Sequence, residues 1–436
     1  MEDLDHGRPS TPPHHPTAGV RILRQEIEHI AHLAFPGFQI VSIRQLPSGK
    51  SYNNRIYFLA LQPPEGGTLS GISGQQAVLK VNGRFFGANK VQNEVACLQL
   101  LQQHCPDIPA PRALAWSEDG NVASFATPFE TGVCTLGLPT GMDKIQHGGW
   151  VLMSQVPGVP MPVAELDEET LKDLGRQLGD IVASLRQDVP RQNYCGNIRL
   201  PLEKIGRQGA PLVDGADLTI RDILPDGIKV DEPITSANQY YRLKLTDKMR
   251  ELETSNTYAP NRYLLGPLEE FISKTLPQIE LTGGDNGLLP NEFVLTHYDL
   301  SPRNVLVSGN PPRISGLVDF EFAGFFPPVE EFLNDCTANA GNWPPVFYDA
   351  YLARLEERGV STPARGLDPV IWNRSFWLYT LTGSIAPWDL PGSCSDKELR
   401  ERLREAETEV REMLRNLSSP ENRPEQPIQY GDSWKS

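Results

Sequence analysis

The spacing of apolar residues changes along the chain, from alternation in the first third to helical periodicity in much of the rest. The stretch Gln39–Leu61 alternates around a turn at Pro47–Ser51, which predicts two strands, and Ala77–Val81 predicts another short strand. A helix is predicted near Arg21–Leu33. A second helix is predicted over Asn89–Gln103, because its apolar residues recur on one stripe at Val91, Val95, Leu98 and Leu101.

The later part of the chain has mainly helical spacing. One helix is predicted to begin near Asp167. Another begins at Ser395, which forms a capping-box pattern with Glu398 ahead of a long amphipathic stripe. Between these helices, residues 193–262 show no periodicity from which their structure can be assigned.

These patterns predict an α+β protein with a small strand-rich lobe over residues 18–153 and a larger, mainly helical lobe over residues 154–417. The division follows the apolar run Trp150–Met153, where a Pro-Gly pair interrupts regular structure. Residues 1–17 and 418–436 are polar and contain several prolines. We therefore predict that both ends are disordered tails.

Length and charge narrow the possible partners. With 436 residues the chain is long for one compact core, which favours more than one lobe. Its formal charge of -15 at pH 7 argues against a nucleic-acid partner, because nucleic-acid binding normally requires a basic face. An acidic protein can attract a cationic substrate, but the same charge is also typical of surface residues that keep a protein in solution.

The cysteines and the N-terminal residues indicate a cellular compartment. Six cysteines are scattered without any Cys-x-x-Cys pair, which is typical neither of a zinc site nor of a disulfide-rich fold. The first residues lack the apolar core of a signal peptide, and no stretch approaches the roughly 18 apolar residues of a membrane span. We predict a cytoplasmic protein with no membrane partner.

The segment from Val294 to Glu321 contains the strongest chemical pattern. An apolar run leads into His-x-Asp-Leu-x-x-x-Asn, in which the acid is Asp299 and the amide is Asn304. A turn and a second apolar run follow, and that run ends in Asp-Phe-Glu, beginning at Asp319. Phosphoryl transfer requires a carboxylate near the attacking hydroxyl and oxygen ligands for Mg²⁺. The segment therefore predicts a kinase that acts on a small molecule.

Each polar residue of the segment has a predicted role. Asp299 is the candidate catalytic base that accepts the proton of the acceptor hydroxyl. His297 is a weaker alternative for that role. Asn304 and Asp319 supply oxygen atoms suited to Mg²⁺ and are the candidate metal ligands. Glu321 is a candidate second ligand or substrate contact.

Lys80 and Glu94 are the candidate phosphate-binding pair. Lys80 lies in an apolar strand, and an ammonium that crosses a core needs a counter-ion or a phosphate. Glu94 is placed to face the same interior from the following helix. Taken alone, an exposed lysine on an edge strand and a surface glutamate fit the pattern as well. The turn at Pro47–Ser51 adds Ser51 as a candidate phosphate contact, on the strength of its position before Lys80.

These residues resemble the aminoglycoside phosphotransferase family, part of the protein-kinase-like superfamily and related to choline kinases. The resemblance covers about residues 20–415 and is carried by the segments Thr296–Val307 and Gly316–Glu321, with support from Lys80 and Glu94. It implies a bilobal protein-kinase-like fold, with ATP and Mg²⁺ as cofactors. It also implies that the backbone of Ser154 and Val156 binds the adenine.

The acceptor implied by the resemblance is a hydroxyl group of a small molecule. A protein kinase would have Asp-Phe-Gly and a lysine two residues after the catalytic acid, whereas this chain has Glu321 and Ser301 at those positions. These departures disfavour a protein substrate. Activity of the choline, ethanolamine or sugar kinase type is the alternative, and a non-catalytic binding protein with a kinase fold is another. Glu330, Glu331 and Asp335 are candidates for holding substrate amines, or they begin a solvated helix.

Overall fold

The computed structural model describes most of the chain, namely residues 15–20, 22–47, 51–63, 75–83, 87–126, 131–136, 149–199, 219–281, 292–337, 343–388, 390 and 395–419. The predicted tails therefore lie outside the described residues except at 15–17 and 418–419. The side chain of Asp335 lies outside them as well. Thr17 is buried, and Arg55 donates to its carbonyl oxygen.

The described residues form nine α-helices and fourteen strands. The helices are α1 (Arg24–Ala34), α2 (Gly87–His104), α3 (Glu168–Gln187), α4 (Ala237–Thr254), α5 (Leu265–Glu270), α6 (Glu330–Thr337), α7 (Pro345–Glu357), α8 (Pro369–Ile385) and α9 (Asp396–Ser418). The first eight strands are β1 (Gln39–Gln45), β2 (Asn54–Gln62), β3 (Gln75–Asn82), β4 (Ala113–Ser117), β5 (Val122–Ala126), β6 (Thr131–Thr135), β7 (Trp150–Ser154) and β8 (Val159–Pro160). The remaining strands are β9 (Gly196–Arg199), β10 (Thr219–Arg221), β11 (Val294–Thr296), β12 (Val305–Ser308), β13 (Arg313–Leu317) and β14 (Gly324–Phe326).

The chain divides into two compact units. The first unit comprises residues 1–161, 197–219 and 303–323, and the second comprises residues 162–196, 220–302 and 324–436. The first is rich in strands and the second is mainly helical, so the predicted α+β class is confirmed. The units are discontinuous in sequence, and the predicted lobe boundary after residue 153 stays a prediction.

A seven-stranded antiparallel sheet forms the frame of the first unit, in the order β1-β2-β3-β7-β4-β5-β6. Apolar residues of α1 pack against one face of this sheet, where Leu79 and Val81 of β3 are buried. Because side chains alternate along a strand, Lys80 lies on the opposite face. The same unit contains a smaller antiparallel sheet in the order β13-β12-β8.

Helices dominate the second unit. The N-caps of α3, α4 and α9 are Asp167, Ser236 and Ser395, and each side chain accepts a backbone N–H from the first turn. Strands β11 and β14 pair in antiparallel orientation, with Leu295 opposite Phe325. Among the described residues, no helix combines the length and the apolar character needed to cross a membrane.

Candidate active site

Lys80 binds three carboxylates, one on the following helix and two in the Asp-Phe-Glu segment of the first unit. Its strand lies between β2 and β7, and its side chain is 5% exposed. Its Nζ lies 2.9 Å from Oε1 of Glu94 and 2.6 Å from Oε2 of Glu321, and it also contacts Oδ1 of Asp319. The predicted Lys80–Glu94 pair is therefore present, together with Asp319. The alternative that Lys80 is an exposed lysine on an edge strand is wrong.

The two predicted partners of Lys80 differ in their access to solvent. Glu94 lies on α2, and its side chain is 3% exposed. Asp319 follows the end of β13 with a φ of 72°, in a left-handed conformation that aspartate tolerates better than most residues do. The side chain of Asp319 is 29% exposed. Of these two carboxylates, Asp319 is the one that a ligand can reach.

Glu321 is buried among groups of the protein itself. Its Oε2 accepts a hydrogen bond from Nδ2 of Asn54 at 2.7 Å, and its Oε1 accepts one from Nδ2 of Asn53 at 3.1 Å. Nζ of Lys90 lies 3.1 Å from the same Oε2 and donates to Oδ1 of Asn54 at 2.8 Å. The expectation of a metal ligand or substrate contact at Glu321 is wrong, because its carboxylate is 2% exposed and engaged by these donors.

We call Lys80, Lys90, Glu94, Asp319 and Glu321 the lysine–carboxylate cluster. Burial lowers the pKa of Lys80, but Asp319, Glu321 and Glu94 outweigh it and raise this pKa well above its ordinary value. Burial raises the pKa of Glu94 to about 7, despite the opposing charge of Lys80. Burial also acts to raise the pKa of Glu321, but Lys80 and Lys90 hold it below its ordinary range. When all five groups are ionised, the cluster has one negative charge in excess.

The predicted metal ligands Asn304 and Asp319 lie at the ends of paired strands. Asn304 directly precedes β12, and Asp319 follows β13, which pairs with β12. The carbonyl oxygen of Asn304 accepts the N–H of Val318 at 3.0 Å, so a backbone hydrogen bond holds Asn304 beside the residue that precedes Asp319. Amide and carboxylate oxygens fit a hard cation such as Mg²⁺, which is commonly held by one or two carboxylates and by phosphates of its ligand.

No larger cluster of ligands competes with this pair. Within the described ranges, no group of three or more His, Cys, Asp or Glu side chains is arranged to hold a metal ion. A cation at Asn304 and Asp319 would offset the excess negative charge of the lysine–carboxylate cluster. The donor set therefore fits Mg²⁺ delivered together with phosphate groups better than it fits a metal bound by the protein alone.

Three other candidates for nucleotide binding also lie in the first unit. Ser51 is half-buried just before β2, and residues 48–50 of its turn lie outside the described residues. Ser154 ends β7; its N–H donates to the carbonyl of Arg112 at 2.9 Å, and its Oγ accepts the N–H of Arg112 at 2.8 Å. Val156 makes no backbone hydrogen bond to any residue that the structure describes. Of the two predicted adenine contacts, Val156 thus has the backbone groups that a nucleobase could use.

Asp299 lies in the second unit, just after β11, and is half-buried. The ring of His297 is fully buried, and its Nδ1 accepts the N–H of Asp299 at 3.3 Å. Nε1 of Trp343 donates to the carbonyl oxygen of Leu300 at 3.3 Å on the other side of Asp299. His297 therefore has a structural place in this loop, and Asp299 is the more accessible of the two proposed bases.

Glu331 anchors the backbone immediately before Asp299. Its Oε2 accepts the N–H of His297 at 2.8 Å, and its Oε1 accepts the N–H of Tyr298 at 3.2 Å. Tyr298 has a φ of 69°, which is unfavourable for a residue with a large side chain. Glu331 is 1% exposed and bound to this backbone, so its carboxylate is closed to substrate amines.

Glu330 is also closed to substrate. It is fully buried, and its two carboxylate oxygens accept the hydroxyls of Tyr241 at 2.6 Å and Tyr240 at 2.9 Å. Burial raises the pKa of Glu330 above its ordinary value. Both sequence-based expectations for Glu330 and Glu331, a substrate-amine site and a solvated helix start, are therefore wrong. Acids that favour the first turn of a helix are here used to bind other parts of the protein.

Two residues of α2 that the sequence analysis did not single out belong to the same site. Lys90 lies four residues before Glu94, a spacing that places both on one face of a helix. Asn93 donates from Nδ2 to the carbonyls of Glu321 at 3.0 Å and Ala323 at 2.8 Å, and its Oδ1 accepts the N–H of Ile198 at 2.7 Å. The helical spacing of Lys90 and Glu94 was a usable signal, whereas nothing local pointed to Asn93.

Comparison with protein families gives one match. The model of the phosphotransferase enzyme family APH matches residues 43–367, which is well over half of the chain. No curated protein matches at a significant level. The predicted resemblance to aminoglycoside phosphotransferases is confirmed by the family match.

Several solved structures are similar along nearly their whole length. A gentamicin complex of APH(2″)-IIa is 14% identical with a TM-score of 0.47, over 92% of this chain and 98% of the other. A macrolide 2′-phosphotransferase from Brachybacterium faecium is 17% identical with a TM-score of 0.42, over 90% of this chain and 98% of the other. An amicoumacin kinase solved with AMP-PNP, Ca²⁺ and its substrate is 14% identical with a TM-score of 0.46, over 94% and 96%. Similarities at this level do not decide the acceptor of this chain.

Proposed function

We propose a function for this chain on the basis that it belongs to the phosphotransferase enzyme family. The proposed activity is that of an ATP- and Mg²⁺-dependent phosphotransferase that phosphorylates a hydroxyl group of a small molecule. In this proposal Asp299 is the catalytic base, and Asn304 and Asp319 are the metal ligands. Lys80 binds phosphate oxygens and is held by Glu94. Ser51, Ser154 and Val156 are the remaining nucleotide contacts.

The observation that carries the proposal is the position of the Lys80 ammonium between Glu94 and Asp319. Its Nζ is bound by the buried carboxylate of Glu94 and also contacts the partly exposed carboxylate of Asp319. Phosphoryl transfer depends mainly on positioning and on charge stabilisation of phosphate oxygens. A fixed ammonium beside a reachable carboxylate is suited to bind a phosphate and its metal ion together.

The metal would supply charge neutralisation on the phosphate oxygens when bound. Asp319 is suited to hold it because its carboxylate keeps 29% exposure. Asn304, which is 4% exposed, has its amide oxygen at the start of the neighbouring strand. When Asp319 binds a cation, Lys80 still keeps Glu94 and Glu321 as partners, so its position does not depend on Asp319 alone.

Asp299 would accept the proton of the acceptor hydroxyl. Its loop is fixed on both sides, by the two N–H groups that bind Glu331 and by the contact between Trp343 and Leu300. A general base must be held within hydrogen-bond reach of the proton that it removes. The half-buried carboxylate of Asp299 meets the requirement of a fixed but accessible group.

The class of the acceptor is supported by the family and by the departures from protein kinases. Aminoglycosides, macrolides and amicoumacin are substrates or ligands named for the similar solved structures, and all are small molecules with hydroxyl groups. Glu330 and Glu331 are unavailable to a cationic acceptor because both are buried. A cationic acceptor would therefore need other carboxylates, and a neutral sugar or macrolide needs none.

A titration of the full chain with Mg·ATP tests the nucleotide half of the proposal. We expect saturable binding that Lys80→Met abolishes or weakens by at least about tenfold, because the substitution removes the phosphate-binding charge but keeps the stem. Lys172→Met is the matched control, since Lys172 is a lysine of α3 with a 45% exposed side chain that pairs with Glu169. Absence of both binding and slow hydrolysis in the wild-type protein would overturn the proposal.

A screen for labelled products tests the transfer half. The protein and labelled ATP are incubated with pools of aminoglycosides, macrolides, amino alcohols and sugars, and separately with a metabolite extract. A labelled product identifies the acceptor and separates antibiotic phosphorylation from activity of the choline or sugar kinase type. Nucleotide binding without any labelled product in any pool would favour the non-catalytic alternative.

A further inference from the structure

The second unit contains a buried ammonium that binds the residue next to Asp299. Nζ of Lys244, on α4, donates to the hydroxyl of Tyr298 at 3.0 Å and to the hydroxyl of Tyr240 at 3.2 Å. It also lies 3.2 Å from Oδ2 of Asp226. Two of its N–H groups therefore bind tyrosine hydroxyls, and a carboxylate of the same unit lies close to the charge. The Lys244 side chain is 4% exposed, which leaves it closed to a substrate.

Aromatic rings and a second carboxylate complete the surroundings of Lys244. Its Nζ lies 5.0 Å from the ring centroid of Tyr240, 5.8 Å from that of Tyr298 and 5.5 Å from that of Tyr379. Such distances allow cation–π attraction. Glu330 accepts the hydroxyl of Tyr240, which itself accepts a hydrogen bond from Lys244, so Tyr240 connects the carboxylate to the ammonium. We call Lys244, Tyr240, Tyr298, Asp226 and Glu330 the Lys244 network.

The Lys244 network acts on a residue whose backbone is strained. Tyr298 has a φ of 69°, in the left-handed region that a residue with a side chain adopts only at a cost in free energy. Such a conformation persists only where the surroundings fix it. Lys244 binds the Tyr298 side chain through its hydroxyl, and the ring also packs against Phe326 with centroids 4.8 Å apart.

The backbone of the same residue is bound from the first turn of α6. Glu331 accepts the N–H groups of His297 and Tyr298, while its neighbour Glu330 binds Tyr240, a partner of Lys244. One helix start thus contacts both the main chain and the side-chain network of the loop. Asp299 is the next residue. The position of Tyr298 therefore fixes the backbone from which the Asp299 side chain extends.

We propose that Lys244 is a positioning residue for Asp299, acting through the hydroxyl of Tyr298. The catalytic role of Asp299 rests on the proposed function, but the claim that Lys244 fixes this loop does not. Glu331 restrains the loop through its main chain, and Lys244 restrains it through its side chain. Loss of either restraint should release the strained conformation of Tyr298 and leave Asp299 less fixed.

Amide hydrogen exchange of the full chain, followed by mass spectrometry, tests the proposal without nucleotide or acceptor. We expect Tyr298→Phe and Lys244→Met to raise exchange in peptides that cover residues 294–301 by about tenfold or more, since each removes a charge-assisted hydrogen bond. Tyr298→Phe keeps the ring and removes only the hydroxyl. If Lys244→Met does not fold, Tyr298→Phe alone still tests the proposal. The combined variant should exchange no faster than the faster single variant.

Lys248→Met is the matched control, because Lys248 lies one turn further along α4 and pairs with Glu251. Its exchange in residues 294–301 should equal that of the wild type. Unchanged exchange in Tyr298→Phe, or fully additive effects in the combined variant, would overturn the role of Lys244. A parallel assay of ATP hydrolysis should show a lower turnover with an unchanged KM for ATP in Tyr298→Phe. If wild-type protein lacks that activity, the proposed function fails while the exchange result still decides the role of Lys244.

Discussion

Lys90 and Glu321 form an ion pair with 3.1 Å between Nζ and Oε2, and their side chains are 0% and 2% exposed. The pair joins α2 to the residue that ends the Asp-Phe-Glu sequence. Asn54 bridges both partners, since its Oδ1 accepts from Lys90 and its Nδ2 donates to Glu321. The first residue of β2 is thereby attached to the same charges that surround Lys80.

The Lys90–Glu321 pair should be costly to break on one side only. Lys90→Met leaves Glu321 with one ammonium fewer in a buried place, and we expect a loss of unfolding free energy of about 3–5 kcal/mol. Lys90→Met combined with Glu321→Gln removes both charges and should be less destabilised than the sum of the single variants. Urea unfolding of the three variants measures the difference. Additive losses would contradict direct coupling between the two residues.

The pKa of Glu94 predicts a pH dependence of stability in the absence of nucleotide and metal. Burial raises this pKa from 4.5 to about 7, so the folded state binds more protons than the unfolded state between these values. Stability contributed by the protonated carboxyl is therefore present at low pH and is lost as pH rises through about 7. Glu94→Gln should remove this decline, because the amide does not titrate.

Thermal unfolding of wild type and Glu94→Gln from pH 5 to pH 8 measures that decline. Lys80, Asp319 and Glu321 are the charged groups around Glu94, and their contributions are shared by both proteins. The wild type should lose stability relative to the variant as pH increases across this window. A constant difference between the two proteins would show that Glu94 does not change its protonation there.

Asp319 should control the effect of Mg²⁺ on nucleotide binding. In Asp319→Asn the accessible carboxylate is lost, and we expect the tightening of ATP binding by Mg²⁺ to fall by at least about tenfold. Binding of ATP in EDTA should change less, because Lys80 keeps Glu94 and Glu321. Calorimetric titrations with and without Mg²⁺ measure both quantities. Equal tightening by Mg²⁺ in the variant and the wild type would exclude Asp319 as a ligand.

Much of the first unit could be predicted because its elements have local signals. The alternation over Gln39–Leu61 became β1 and β2, and the run Ala77–Val81 became β3. The apolar stripe of Asn89–Gln103 became α2. That stripe describes only part of the buried surface, since Lys90, Asn93 and Glu94 are buried too. Lys90 and Asn93 bind Glu321, a pairing that no local pattern contains, whereas the partner of Glu94 is Lys80.

The structure of the second unit was harder to predict at the places where polar side chains are buried. Residues 193–262 showed no period, and they include α4, whose buried face contains Tyr240, Tyr241 and Lys244. A buried lysine breaks the apolar stripe on which helix prediction depends. Glu330 and Glu331 were likewise expected to face a substrate or solvent, because acidic side chains are usually exposed. Their burial is explained only by the tyrosine hydroxyls and backbone N–H groups that they bind.

Asp299 is proposed as the base in phosphate transfer to a small molecule. Asp299→Asn keeps the size of the side chain and removes its capacity to accept a proton. The direct measurement is the transfer of labelled phosphate from ATP to acceptors in a metabolite extract, compared between wild type and Asp299→Asn at matched nucleotide binding. We predict a labelled small-molecule product with the wild type and a loss of about 10²–10⁴-fold in its rate of formation with the variant. An unchanged rate of product formation in Asp299→Asn would show that Asp299 is not the base.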